Sequence, residues 1–285
     1  MRLPRRPEYG APRNDIYSFM PEFLVLIFVF IFGLIIGSFL NCLVWRLRTG
    51  ESLLGRSYCP KCKKQIAWYD NLPVVSFVLL KGKCRQCGQS ISWQYPAVEL
   101  VTGILFMAAY YLNYELRIMN YGSVIHDSLF ITQLFRDWFL ISAMMVIFIY
   151  DLRWYLILDI VTLPACLVVL ILNLALGFSL WNLLVSGIIG SSFFLIQLLV
   201  SRGKWVGGGD ARLGLLMGLA LGWPGVIAAI IISYFIGSIV GIGLMLAGKK
   251  QWGSEVPLGV FLAVGAIITL FWQNQILNWY LNLFL

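Results

Sequence analysis

Long uncharged stretches broken by short polar turns dominate this chain. Residues 23–45 contain no charged side chain, which is enough to cross a bilayer as one helix. The run is longer than the apolar core of a signal peptide, and no small-residue cleavage site follows it, so 23–46 reads as a retained first membrane helix. A polar lead, 1–22, precedes it with four arginines and four prolines, an interfacial or partly disordered tail. The one sizeable polar segment, 47–96, follows. Further apolar runs predict helices near 97–113 and 129–150, separated by a polar loop at 114–127. Arg136 and Asp137 fall inside the second of these, with 13 residues between Asp137 and Asp151, and have to sit near the far interface as a pair. From 160 to 201 no charge appears, too long a run for one helix, and Gly177-Phe178-Ser179 is the expected break. Another uncharged run, 213–248, should break at Gly222-Trp223-Pro224-Gly225, leaving a short first span. After a charged turn at 249–255, residues 256–285 supply the last helix. The expected architecture is an all-α polytopic membrane protein of about eight transmembrane helices. Residues 97–285 form its membrane domain, and the small polar domain lies between the first and second helices.

Composition agrees with lipid as the main solvent. The chain is 60% hydrophobic and only 12% charged, about half the charged share of a soluble domain. In such a chain a net charge of +8 points to anionic lipid and topology, not to nucleic acid. Residues 46–95 carry nine Lys and Arg against Glu51 and Asp70, which places this segment in the cytoplasm. The four arginines of the tail then lie outside, a mild conflict. Two crossings separate the polar segment from Asp151, and two more separate Asp151 from Asp210. All three motifs, with the turn at 249–255, therefore belong on the cytoplasmic face.

Cys59-Pro60-Lys61-Cys62 and Cys84-Arg85-Gln86-Cys87, with 21 residues between them, are close to the paired CxxC spacing of a zinc site. Four thiolates leave no open coordination position, so such a site is structural and folds a segment too small for its own core. Disulfides and free thiols are the alternatives, and a cytoplasmic location disfavours the former. Gly207-Gly208-Gly209-Asp210 stands at the start of a helix. Asp210 reads either as an N-cap or as a carboxylate that the flexible glycine turn aims into a cavity. Asp151 ends a helix, either as an interfacial charge paired with Arg153 or as a partner for Asp210, while Asp159 reads as the cap of the fourth helix. Two carboxylates a few ångströms apart share a proton, so that one activates water and the other protonates a scissile carbonyl. The lone histidine, His126, has no acidic or nucleophilic neighbour and reads as a loop residue, which leaves a histidine-based triad unsupported. Gly33-x-x-x-Gly37 and Gly237-x-x-x-Gly241 fit close helix contacts.

Taken in order, the motifs resemble the bacterial type 4 prepilin peptidases. Gly37-Ser38-Phe39-Leu40-Asn41 followed by Arg46, the two cysteine motifs, and Trp68-Tyr69-Asp70-Asn71-Leu72-Pro73 are similar to that family's N-terminal half. So are Tyr95-Pro96-x-Val98-Glu99. Asp151 with Asp159, Gly207-x-Gly209-Asp210 and Val256-Pro257-Leu258-Gly259-x-Phe261-Leu262 are similar to its peptidase half. Leu158, Arg212, Leu258 and Val260 depart from the family pattern, while Asp151 and Asp210 themselves keep to it. The resemblance implies a GxGD aspartic endopeptidase of the bacterial inner membrane, with Asp151 and Asp210 as catalytic pair and Gly207 and Gly209 shaping the turn. Its substrates would be type IV prepilins or pseudopilins, cut on the cytoplasmic face after a glycine that precedes the mature hydrophobic helix. It also implies N-methylation of the new amino terminus from S-adenosylmethionine, for which Asn41, Arg46, Asp70, Asn71 and Glu99 are the candidate residues. No glycine fingerprint of a nucleotide fold accompanies them. A non-enzymatic membrane scaffold with a zinc-ribbon docking domain is the rival reading and needs no carboxylate pair.

Overall fold

The structure, a computed structural model, describes residues 15–121, 128–249 and 256–283. Its elements are α1 (Asp15–Thr49), a 3₁₀ turn (Trp68–Asn71), α2 (Val75–Leu79), α3 (Gln94–Tyr121), α4 (Ser128–Trp154), α5 (Asp159–Ala175), α6 (Leu180–Ser201), α7 (Gly208–Leu221), α8 (Gly225–Leu246) and α9 (Leu258–Leu281). Among the described residues the β-structure is limited to two isolated bridges, Tyr58 with Gln65 and Lys83 with Ser90. Six helices are long and apolar enough to cross a membrane: α1, α3, α4, α6, α8 and α9. α5, 17 residues long, and α7, 14 residues long, stand where the other two of the eight expected spans fall, but are shorter than those six. Gly177 and Gly222 end α5 and α7 at the expected breaks, at φ +86° and +66°, where a side chain is disfavoured. The helix expected to stop at 113 instead runs to Tyr121. Asn113 does not end it, because its side chain is occupied by the Ala109 carbonyl and by Asp137 of α4. His126, the tail before residue 15 and most of the turn at 249–255 lie outside the described residues.

Glycines set the closest helix approaches. A Cβ at Gly33 would lie 2.7 Å from the Gly103 Cα, and one at Gly37 2.7 Å from the Glu99 Cα, so α1 and α3 touch backbone to backbone. On α7, Gly214 and Gly218 meet Gly190 and Ser186 of α6 in the same way, the carbonyl of one glycine standing where the side chain of its partner would be. Gly237 packs against the Phe261 ring of α9, but Gly241 faces open space, so only half of the second small-residue pair makes the expected contact.

Polar bonds mark the two ends of the bundle. At one end Asp151 of α4 meets the start of α9, Asp159 of α5 meets Arg212 of α7, and Arg48 of α1 lies over the Trp154 ring of α4. Toward the other end, Arg136 and Asp137 form the expected pair at 2.6 Å, buried within the bundle. Asn113 bonds Asp137, Arg136 bonds Asn173 of α5, and Asn173 donates to the Leu219 and Ala220 carbonyls at the end of α7. Every member of this network is satisfied by another, as burial demands.

The polar segment between α1 and α3 folds as two equivalent loops. The Cys59 N–H donates to the Lys64 carbonyl and the Lys63 N–H to the Cys59 carbonyl; Cys84 with Gln89, and Gly88 with Cys84, repeat the pattern. The fifth residue of each loop, Lys63 or Gly88, takes the same left-handed conformation.

Candidate active site

Asp151 sits on the last turns of α4, buried at 5% exposure, and its Oδ2 accepts the Val260 N–H at 3.1 Å. The Gly259 N–H points to the same carboxylate. Both donors belong to the first turn of α9, where helix N–H groups lack intrahelical partners and favour an anion. Arg153 lies instead over the Trp154 ring, so the carboxylate is directed into the bundle by α9. Gly259 makes the approach feasible. A Cβ there would stand 2.8 Å from Asp151 Oδ2 and 3.0 Å from Ile157 Cδ1.

Asp210 occupies the first turn of α7, buried at 7% exposure, and accepts the Gly207 N–H at 2.8 Å. The helix cap is Gly207, three residues earlier, so Asp210 is not the N-cap of the simpler reading; it reaches back to the cap. Gly207 is extended at φ −89° with open space around it, a conformation that any residue adopts. Gly209 is the tight position, where a Cβ would fall 2.8 Å from the Ile157 Cβ. Ile157 thus wedges between the turn that carries Asp210 and the turn that receives Asp151. The two carboxyl groups lie within Coulombic reach of each other.

Asp159 is the first helical residue of α5 and not its cap, which is Leu158. Its carboxylate pairs with Arg212, whose Nε also donates to the Gly208 carbonyl at 3.2 Å. The pair clamps the start of α5 to the glycine turn. In the sequence Gly259 and Arg212 are motif positions with no visible role. Their contacts join segments 50 to 110 residues apart, which local pattern does not carry.

In the polar segment the sulfurs of Cys59, Cys62, Cys84 and Cys87 lie within 4.8 Å of one another. Cys59 Sγ and Cys87 Sγ are 3.9 Å apart. A tetrahedral zinc with bonds of about 2.3 Å separates its sulfurs by about 3.8 Å, so the four thiols fit that ion. Hydrogen bonding from the Cys62 backbone, supported by that of Lys61 and by neighbouring thiols, pulls the Cys59 thiol down to about 7 against the burial that opposes it. Against a backbone hydrogen bond from Gln89, burial and the same neighbouring thiols push the Cys87 thiol up to about 11, so the cluster loses its first proton at Cys59.

Four of the five candidate methyl-transfer residues are bonded within the protein. Asn41 donates to the Tyr95 carbonyl at 3.1 Å. Arg46 holds the carbonyls of Leu53 and Gly55. Glu99 accepts the Val74 N–H at 2.7 Å. Asp70 is gripped by Arg85, whose hydrogen bonds hold its carboxyl below the usual carboxylate range. Asn71 is exposed at the end of the 3₁₀ turn. The first four fasten the cysteine segment to α1, α3 and itself.

Residues 31–113 match the bacterial peptidase A24 N-terminal domain, and residues 138–242 match the type IV leader peptidase family. A prepilin leader peptidase/N-methyltransferase of Aeromonas hydrophila is 30% identical over 90% of this chain and 94% of its own. One from Bacillus subtilis is 30% identical over 91% of this chain and 99% of its own, and one from Legionella pneumophila is 28% identical over 92% and 96%. No solved structure matches. Matched nearly end to end by such relatives, and by both family profiles in order, the chain belongs to the type IV leader peptidase family.

Proposed function

We propose that this protein is a multi-pass inner-membrane aspartic endopeptidase that removes the leader from prepilins or pseudopilins, with Asp151 and Asp210 as its catalytic pair. The observation that carries this reading is that two buried carboxylates, each held by backbone N–H groups, stand on neighbouring turns at one end of the bundle, both turns packed on Ile157. One carboxylate takes a proton from water as the oxygen attacks the scissile carbonyl carbon, and its protonated partner donates to the carbonyl oxygen. The tetrahedral intermediate collapses with proton transfer to the leaving amine, and the pair returns to its singly protonated state. Gly209, Gly259 and the Asp159–Arg212 clamp hold the two turns in register. The relatives' names favour this enzyme over a non-catalytic scaffold.

The active end faces the cytoplasm, on the strength of the basic segment 46–95 and the even number of crossings between motifs. The chain divides into a tail (1–22), a first membrane helix (23–46), a cytoplasmic cysteine domain (47–96) and a membrane peptidase domain (97–285). Cys59, Cys62, Cys84 and Cys87 hold a structural zinc, and the lipid around the bundle is its second partner. N-methylation of the new amino terminus is the second activity, with S-adenosylmethionine as methyl donor. Asn41, Arg46, Asp70, Asn71 and Glu99 are the residues proposed to serve it, four of them already bonded within the protein.

The test is incubation of the detergent-purified protein with a full-length prepilin, with and without S-adenosylmethionine, read by intact mass. Leader loss in both reactions, and one added methyl mass only with the donor, is expected. A panel of prepilins that all stay intact would contradict the peptidase reading.

A further inference from the structure

The cysteine segment carries large apolar side chains that neither its own small core nor a spanning helix covers. Trp68 and Trp93 are 74% and 77% exposed, where a soluble surface would hide most of an indole. The five-residue helix α2 points Val75, Val78 and Leu79 outward, spaced so that they share one helix face. Phe77, on the other side, turns inward under Gly82 and packs against the Trp93 ring at 4.9 Å. Trp93 is therefore tied to the same short helix through Phe77.

Two facts identify what covers this face. The segment leaves α1 at Thr49 and re-enters the bundle at Gln94, so both its ends are fixed where the spanning helices stop. Its charge is one-sided, nine Lys and Arg against Glu51 and Asp70 over residues 46–95, and Lys81 and Lys83 follow α2 directly. Exposed tryptophans, a short apolar face and flanking lysines are the elements of an interfacial anchor, which sinks its rings to headgroup depth while its cations meet anionic lipid. We infer that the exposed side chains of Trp68, Val75, Val78, Leu79 and Trp93 dock the cysteine domain on the anionic surface of the bilayer that the chain crosses. Docking would fix the domain's height beside the end of the bundle that holds Asp151 and Asp210. The inference does not depend on the peptidase reading.

Fluorine NMR of the full chain labelled with fluorotryptophan tests it, in nanodiscs of phosphatidylcholine with and without phosphatidylglycerol. Trp68→Phe and Trp93→Phe assign the two signals. Both signals should be broadened by doxyl lipid labelled near the headgroup and spared by an aqueous gadolinium chelate. The lipid effect should be about twofold or more greater with phosphatidylglycerol. Val78→Ser with Leu79→Ser, which leaves every cysteine in place, should return both signals to the chelate. Broadening by the chelate alone in the wild type would overturn the inference. Equal lipid effects in neutral and anionic discs would overturn its anionic part. Protection that comes only after prepilin is added would make the face a substrate dock instead.

Discussion

At Gly209 and Gly259 the absent side chain is what lets two helix starts close around Ile157. Adding a methyl group at either position forces contacts of 2.8 Å, against Ile157 Cβ in one case and against the Asp151 carboxylate in the other. Overpacking of this kind costs about 1–3 kcal/mol and shifts what it touches. Catalytic groups moved by about 1 Å lose rate steeply. Gly209→Ala and Gly259→Ala should therefore each lower kcat/KM for leader cleavage by about tenfold or more. Gly207→Ala, at an extended position whose nearest neighbour would be 3.7 Å away, should stay within about twofold of wild type. Steady-state cleavage of one prepilin by the three variants distinguishes them, and equal losses at all three would show that the glycines act through flexibility and not through space. The sequence made the motif around Asp210 readable but could not rank its glycines, because what separates Gly207 from Gly209 is Ile157, more than 50 residues away along the chain.

Helix α7 is only 14 residues long, and polar bonds fix it at both ends. At its start Arg212 pairs with Asp159, both side chains more than a third exposed; near its end Asn173 links its last carbonyls to the buried Arg136–Asp137 pair. Exposed pairs contribute little and buried ones are costly to break. Asp159→Asn should change thermal stability in detergent by about 1 kcal/mol or less. Asp137→Asn, which leaves Arg136 buried without its carboxylate, should cost about 3–5 kcal/mol. Comparable losses for the two would contradict this division. The sequence predicted the pairing of Arg136 with Asp137, since two charges inside an apolar run need each other. It did not reveal Asn113 and Asn173, because an asparagine in a helix is silent until neighbouring helices pack on it. The cysteine segment was legible from spacing alone, and its pseudo-symmetry makes a further prediction. One zinc per chain should be found by elemental analysis of the purified protein. A strong chelator, or Cys59→Ser, should release it and expose the amides of 57–91 to hydrogen exchange while the membrane helices stay protected. Retained protection without metal would contradict a structural zinc. Within the same segment the Asp70–Arg85 pair has a lowered carboxyl pKa. Its contribution is therefore complete above the unfolded carboxylate pKa and fades as pH falls through the lowered one. Asp70→Asn should loosen residues 68–85 at neutral pH and make no difference in strong acid, as hydrogen exchange would record.

On the scale of the whole molecule, the ends of α1, α4, α6 and α8 and the starts of α3, α5, α7 and α9 belong to one face if the chain crosses at each of these eight helices. The polar contacts agree with that arrangement, joining α4 to α9, α5 to α7 and α1 to α4 at the end that holds Asp151 and Asp210. Run lengths and glycine breaks gave this order of helices in advance, because uncharged stretches of bilayer length permit few other folds. The placing of the carboxylates on neighbouring turns was not available from spacing, since 58 residues and two helices separate them in the chain. The central claim is that Asp151 and Asp210 cleave together, and the most direct measurement is prepilin cleavage by Asp151→Asn and Asp210→Asn beside the wild type, read by intact mass, with thermal unfolding as the folding control. Neither folded variant should remove the leader. Cleavage by either at a rate within about tenfold of wild type would exclude that aspartate from the mechanism.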